Sequence, residues 1–145
     1  MYKNILIPTD GSKLSHKAIV TGVALAQAIG AKVTGLFAAP PATPLVFERH
    51  MEYVTTGQHE AMIEKTAAQY LGVIEREAAK AGVKCEVLHV TNDFPADAIL
   101  AVAKKKKCDL ICMASHGRRG IEGVVLGSET HKVLVHSKVP VLVCR

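Results

Sequence analysis

Residues 109–130 read DLICMASHGRRGIEGVVLGSET. An apolar run, Leu110 to Ala114, breaks at Ser115-His116-Gly117, passes through a basic loop with two more glycines, and stops at Gly127-Ser128. That is the order of a strand, a glycine-rich loop and a helix start. Glycine lets backbone N–H groups approach a ligand closely. A helix N-terminus adds unpaired donors and the positive end of the dipole, so the stretch suits an anion, phosphate above all.

The segments on either side repeat the strand-then-helix order. NILIP, residues 4–8, is a short apolar run ending at Thr9-Asp10-Gly11-Ser12, which reads as a buried strand, a tight turn and a helix cap. In residues 14–29 the apolar positions Ile19, Val23, Ala26 and Ile29 share one helical face, and Gly30 ends the helix. AKVTGLFA, residues 31–38, reads as a second strand, which Pro40, Pro41 and Pro44 break. Helical spacing returns over residues 58–81, with Ile63, Ala67, Leu71, Ile74, Ala78 and Ala81 on one face. Residues 45–57 fit either an irregular lid or an early turn of that helix.

Residues 83–90, VKCEVLHV, alternate in part and read as a strand nearer an edge, with Lys84, Glu86 and His89 outward. Asp93 is the expected cap of a helix over residues 94–106, with Pro95 in its first turn. Residues 128–136 form the expected last helix and Val139 to Cys144 the final strand. Connections too long for hairpins and strict alternation imply an α/β fold, a doubly wound five-stranded parallel sheet with helices on both faces, in one domain over residues 1–145.

Composition agrees with that class. Hydrophobic residues make up 49% of the chain with 4% aromatic and no Trp, the Val, Ile, Leu and Ala filling usual for covered parallel sheets. A chain of 145 residues buries enough surface to need no disulfide or metal. The four cysteines, Cys85, Cys108, Cys112 and Cys144, form no CxxC pair and read as buried reduced thiols, and the seven histidines lack metal-ligand spacing. Net charge is +5, but the run Lys104 to Lys107 ends a helix, where lysines complement the dipole. With no aromatic residues interleaved, that run reads as a solvated helix end and not a nucleic-acid patch. No run approaches the length of a membrane span, and the chain opens on a strand and not a signal peptide, so the expected location is cytoplasmic.

In open parallel sheets ligands lie beyond the carboxyl ends of the strands, where strand order reverses. With the first strand central, Pro8-Thr9-Asp10 lies beside Met113 to Gly117, and two loops far apart in sequence form one crevice. The opening ILIPTDGS, the Ser115-His116-Gly117 turn, nine residues, Gly127-Ser128 and the closing VPVLVCR together resemble the universal stress protein family across nearly the whole chain. The nucleotide-binding branch of that family carries G-x-x-G, nine residues, then G-[S/T]. Here the pattern reads Ala114-Ser115-His116-Gly117, Arg118 to Leu126, then Gly127-Ser128, and Ala114 in place of the first glycine is the one departure. A strand end usually has negative φ, so the extra methyl is expected to weaken the fit more than to abolish it.

The resemblance implies an ATP-binding, homodimeric stress-response module. Asp10 would accept hydrogen bonds from ribose or adenine, with the backbone around Thr9 and Ala38 bordering the base. His116, Gly117, Arg118, Gly127, Ser128, Glu129 and Thr130 would surround the phosphates through N–H groups and the Ser128 and Thr130 hydroxyls. A magnesium ion, where present, would be held chiefly by phosphate oxygens and water. The resemblance also implies pairing of two subunits through Val139 to Cys144, an apolar strand whose bare edge would invite it.

Plainer readings stand beside these. Asp10 could cap only the first helix and Ser128 only the last; each cap is worth roughly 1 kcal/mol and needs no ligand. Arg118 and Arg119 could be solvated charges. His116 has no identifiable nucleophile or carboxylate partner, and Tyr53 and Tyr70 carry no signal. The P-loop pattern G-x-x-x-x-G-K-[ST] is absent, so slow hydrolysis is the most that is expected. The alternatives are an interaction protein of the same fold that binds no nucleotide, with Ala114 as its mark, and a slow ATPase. A phosphate-receiver domain is set aside because Asp10 stands alone where that fold needs an acidic pair.

Overall fold

A computed structural model describes residues 1–41, 56–118, 120 and 126–145, with the side chain of Thr56 outside the described set. The elements run β1 (Asn4–Pro8), α1 (Lys13–Ile29), β2 (Lys32–Ala39), α2 (Thr56–Ala81), β3 (Cys85–Thr91), α3 (Pro95–Lys105), β4 (Leu110–Ala114), α4 (Ser128–His136) and β5 (Val141–Cys144). All pairings are parallel, and the sheet order is β3-β2-β1-β4-β5. The expected doubly wound five-stranded sheet is therefore present. β1 is central, and strand order reverses on either side of it.

The two faces of the sheet bury alternate residues of each strand. Ile5, Ile7, Val33, Leu110 and Cys112 pack under α1 and α2. Leu6, Leu36, Ile111 and Met113 pack under α3 and α4 with Ile99, Val102 and Val133. Ile5, Leu6, Ile7, Leu36, Ile74 and Ile111 are fully buried, and each such side chain contributes about 2 kcal/mol of transfer free energy. The helical faces expected from periodicity are the buried ones: Ile19, Val23 and Ala26 on α1, and Ala67, Leu71, Ile74 and Ala78 on α2. Close approach of helix to sheet is set by glycine. A Cβ on Gly22 would stand 2.6 Å from Ile7 Cδ1, and one on Gly35 would stand 2.8 Å from Ile74 Cδ1.

The seam between β1 and β4 has two register pairs, Ile5 with Leu110 and Leu6 with Ile111. At its lower end the Asp109 carboxylate accepts from the backbone N–H of Lys3 at 2.8 Å and of Asn4 at 3.0 Å. Behind it, the buried Asn4 amide donates to the Lys106 carbonyl at 3.0 Å and accepts from the Thr34 hydroxyl at 2.9 Å. Side chains thus supply the bonds that so short a ladder lacks.

Several boundaries differ from the sequence reading, each for a local reason. β5 begins at Val141 and not Val139, because Ser137 folds the preceding residues into a turn: its hydroxyl donates to the Val139 carbonyl at 2.7 Å and accepts from the Val139 N–H at 3.2 Å. Asp93 does not cap α3. Phe94 occupies the cap position without a side-chain bond, Asn92 Oδ1 takes the Phe94 N–H at 2.8 Å, and the Ala96 N–H goes to Glu129 Oε2 of α4 at 2.9 Å. α1 is capped by Ser12, whose hydroxyl oxygen accepts from the Ser15 N–H at 3.1 Å. The lysine run does end a helix, with Lys104 and Lys105 in the last turn of α3 and Lys106 paired to Glu86 at 3.3 Å. Cys108, Cys112 and Cys144 are buried free thiols and Cys85 is half-buried. Residues 45–55, Tyr53 and Arg119, about which the sequence was read above, lie outside the described residues.

Candidate functional site

The exits of β1 and β4 meet beyond the carboxyl edge of the sheet, and the Asp10 carboxylate joins them. Oδ1 accepts from the Ser12 N–H at 2.9 Å, which fixes the turn into α1, and Oδ2 accepts from the Arg118 N–H at 2.8 Å, from the loop after β4. Between them Gly11 adopts φ +77°, a left-handed conformation suited to glycine. Thr9 is buried. Its N–H donates to the Leu36 carbonyl at 2.9 Å, and its hydroxyl lies 3.1 Å from that of Ser15. Pro8, Thr9 and Asp10 are in this way held against the exit of β2, where Ala38 lies half-buried one residue before the strand ends.

The loop after β4 is folded back on α4. The Gly127 N–H donates to the Ser115 carbonyl at 2.7 Å, and the Gly120 N–H to the Gly117 carbonyl at 3.0 Å. Two close approaches in this loop leave little room for a side chain. A Cβ on Gly117 would stand 2.5 Å from Asp10 Oδ2, and one on Gly127 would stand 3.0 Å from His116 Cα. Ser115 is buried and its N–H donates to the Cys144 carbonyl at 2.8 Å, extending the β4–β5 ladder. Met113 and Ala114 are buried strand residues. Ala114 has no positive φ, and its side chain packs into the core beneath α1. The added methyl therefore costs no backbone strain at this position.

α4 starts after Gly127, so Gly127 and not Ser128 is the cap residue, and it makes no side-chain cap bond. Ser128, Glu129 and Thr130 occupy the first helical positions, whose N–H groups have no intrahelical acceptor. Ser128 is exposed, and among the described residues its hydroxyl takes no hydrogen bond. The other two side chains are turned away from the loop. The Thr130 hydroxyl is buried and donates to the Ala114 carbonyl at 2.9 Å, tying α4 to β4. The Glu129 carboxylate divides between the Ala96 N–H at 2.9 Å and Lys132 Nζ at 3.2 Å, so its charge serves the N-terminus of α3. His116 is half-buried, with Nδ1 3.3 Å from the Ser115 hydroxyl.

Tyr70 is the residue that sequence reading missed. It lies on α2, and its hydroxyl accepts from Arg118 Nη2 at 2.7 Å while the guanidinium carbon sits 5.3 Å from the ring centroid. No periodicity marks it, because it stands one position off the buried face of α2. The only signal available was its neighbour Leu71 on that face.

Burial acts to raise the Asp10 pKa, but hydrogen bonds from Ser12, from the Arg118 backbone N–H and from Ser15 outweigh it and hold the carboxyl below its ordinary value. The group is an anion at neutral pH with donors on both oxygens. Among the described residues no three His, Cys, Asp or Glu side chains gather as metal ligands.

The family model of the universal stress protein family matches residues 1–145. Universal stress protein MJ0531 of Methanocaldococcus jannaschii is 31% identical over 147 residues, an alignment spanning 100% of this chain and 83% of that protein. Protein MJ0577 of the same organism, solved for the assignment of its biochemical function, superposes with a TM-score of 0.78 at 29% identity, covering 99% of this chain and 96% of that one. A universal stress protein solved in complex with cAMP superposes with a TM-score of 0.70 at 26% identity, covering 98% and 95%.

Because the folded pKa of Asp10 is depressed, its contribution to stability is present above the unfolded value of about 3.8 and is lost as pH falls through the lower folded value. Asp10→Ala should destabilise the protein at pH 7 by on the order of 1–2 kcal/mol, the cost of leaving charge-assisted N–H donors without their acceptor. Urea unfolding of both proteins from pH 7 down to pH 3 checks this. The gap between wild type and variant should be constant at neutral pH and narrow only below about 3.8.

Proposed function

This chain belongs to the universal stress protein family, and we propose that it is a nucleotide-binding module taking ATP or a related adenine nucleotide, acting as a homodimer in a cytoplasmic stress response. The observation that carries the reading is the convergence on one crevice of the β1 exit, the β4 exit and the first turn of α4, held by the Asp10 bond to Arg118 and the Gly127 bond to Ser115. The relative solved with cAMP holds an adenine nucleotide on the same fold at 26% identity.

In this reading the phosphates meet the free N–H groups of Ser128, Glu129 and Thr130, the Ser128 hydroxyl and the amides of the turn at Gly117, where amide donors and the dipole favour negative charge. The base borders the backbone at Thr9 and Ala38. Asp10 retains lone pairs beyond its two N–H bonds, so it can still accept from a ribose hydroxyl. Magnesium, when it accompanies the nucleotide, is held chiefly by phosphate oxygens and water, the ligands it usually keeps in nucleotide sites. Any hydrolysis is slow, since the P-loop pattern is absent from the sequence.

The homodimer reading rests on β5, the edge strand of the sheet. The Pro140 and Cys144 carbonyls face β4, taking N–H bonds from Ile111 at 3.0 Å and Ser115 at 2.8 Å. By alternation Val141 and Val143 present their backbone groups outward, beside the exposed Leu142 and, on α4, Val135.

Calorimetric titration with ATP and magnesium should give saturable heat with one site per chain. Gly127→Val should weaken binding at least roughly tenfold, about 1.4 kcal/mol, because its side chain would displace His116 from the start of α4. Absence of heat for the wild type at saturating ATP would contradict the reading. Sedimentation equilibrium should show a dimer that Val143→Pro converts to monomer by removing an outward N–H. A monomeric wild type would rule out the β5 pairing.

A further inference from the structure

Arg118 makes a set of contacts that a phosphate ligand would not. Its Nε donates to the Asp10 carbonyl at 2.8 Å, and Nη2 donates to the Tyr70 hydroxyl at 2.7 Å and reaches the Gly11 carbonyl at 3.5 Å. The guanidinium also lies over the Tyr70 ring, 5.3 Å from its centroid, within the range of a cation–π contact. A planar cation that stacks and donates at once is a use of arginine that lysine cannot reproduce.

Tyr70 is itself fixed from two further sides. Phe37 meets its ring edge-on, with centroids 5.3 Å apart and planes at 83°. Gly11 presses against the same ring so closely that a Cβ there would overlap it. Phe37 immediately precedes Ala38 on β2, the strand exit assigned above to the base. Phe37, Tyr70 and the Arg118 guanidinium therefore form a row running from the base side of the crevice to the loop on the phosphate side. This row lies with α2, whereas α4 packs on the opposite face of the sheet. The side chain of Arg118 is thus committed away from the helix start that faces the phosphates, while its backbone N–H remains in the Asp10 bond.

The geometry points to Arg118 and Tyr70 as a positioning pair, in which the arginine acts as a clasp anchored on the tyrosine that holds the Ser115–Arg118 turn with its amides toward the nucleotide. This assignment rests on the nucleotide-binding reading given above. The turn is exposed at Gly117 and Arg118, and without the clasp the Asp10 carboxylate would be, among the described residues, its one remaining hydrogen-bonded tie to the β1 exit.

Two measurements separate the clasp from direct phosphate contact and from failure of the nucleotide reading. Calorimetry with AMP, ADP and ATP should show Arg118→Ala and Tyr70→Ala each weakening all three by the same factor, roughly fivefold, with the double variant no weaker than either alone, as expected of two residues acting as one unit. Tyr70→Phe, which keeps the ring against Phe37 and removes only the acceptor, should give a smaller loss of the same sign and serves where the alanine variant fails to fold. A loss in Arg118→Ala that grows with the number of phosphates, with Tyr70 variants unchanged, would overturn the proposal. Amide hydrogen exchange at Gly117, Arg118 and Gly120 in nucleotide-free protein should speed up in Arg118→Ala and in Tyr70→Phe. Unchanged exchange would overturn the clasp even in a protein that binds ATP. If the wild type bound no nucleotide the binding reading would fall, and the exchange rates would still decide whether the clasp exists.

Discussion

Two aspartates close the seam between β1 and β4, and the site depends on that seam. The topology reverses there, so β1 and β4 are not joined by a crossover of their own, and the short ladder between them is covered by α1, whose Gly22 lies against both Ile7 and Cys112. Asp109 gathers the N–H groups of Lys3 and Asn4 at one end, and Asp10 gathers those of Ser12 and Arg118 at the other. A carboxylate is the right group for both places, because it accepts from several N–H donors at once. The crevice is thus a consequence of how the sheet is wound, and Asp10 converts two loops into one wall.

Much of the architecture was legible because it follows from periodic patterns. The apolar runs at residues 4–8 and 110–114, the helical faces of Ile19 and Leu71, and the closing glycines each respond to local physics, and together they imply a parallel sheet with helices on both faces, whereas the central place of the first strand was a supposition that the strand order bears out. The glycine spacing also marked where backbone must come close. Gly117 and Gly127 do so, against Asp10 and His116 respectively.

What could not be read was which partner each polar side chain would take. Glu129 at the start of α4 looks like a group beside a phosphate, yet its carboxylate is drawn to the N-terminus of α3, where the dipole is as favourable and the Ala96 N–H has no acceptor within its own helix. Thr130 looks like a phosphate ligand and instead bonds the last carbonyl of β4. Asp93 has the right type and place for a cap, but its neighbour Asn92 makes the local bond. Tyr70 has no pattern at all, because its role arises from Gly11, Phe37 and Arg118, which come from three separate parts of the chain. In each case the deciding distance is tertiary. Local sequence carries the donor or acceptor and not its destination.

The account turns on whether the β1 exit and the α4 start serve one ligand. Backbone amide chemical shifts, followed by NMR during titration with ATP and magnesium, test this most directly. Concerted shifts at Asp10 and Gly11, at Ser115 to Arg118, and at Ser128 to Thr130, all saturating with one dissociation constant, are the predicted result. Shifts confined to one of these segments, shifts saturating at different concentrations, or shifts elsewhere on the fold would contradict it.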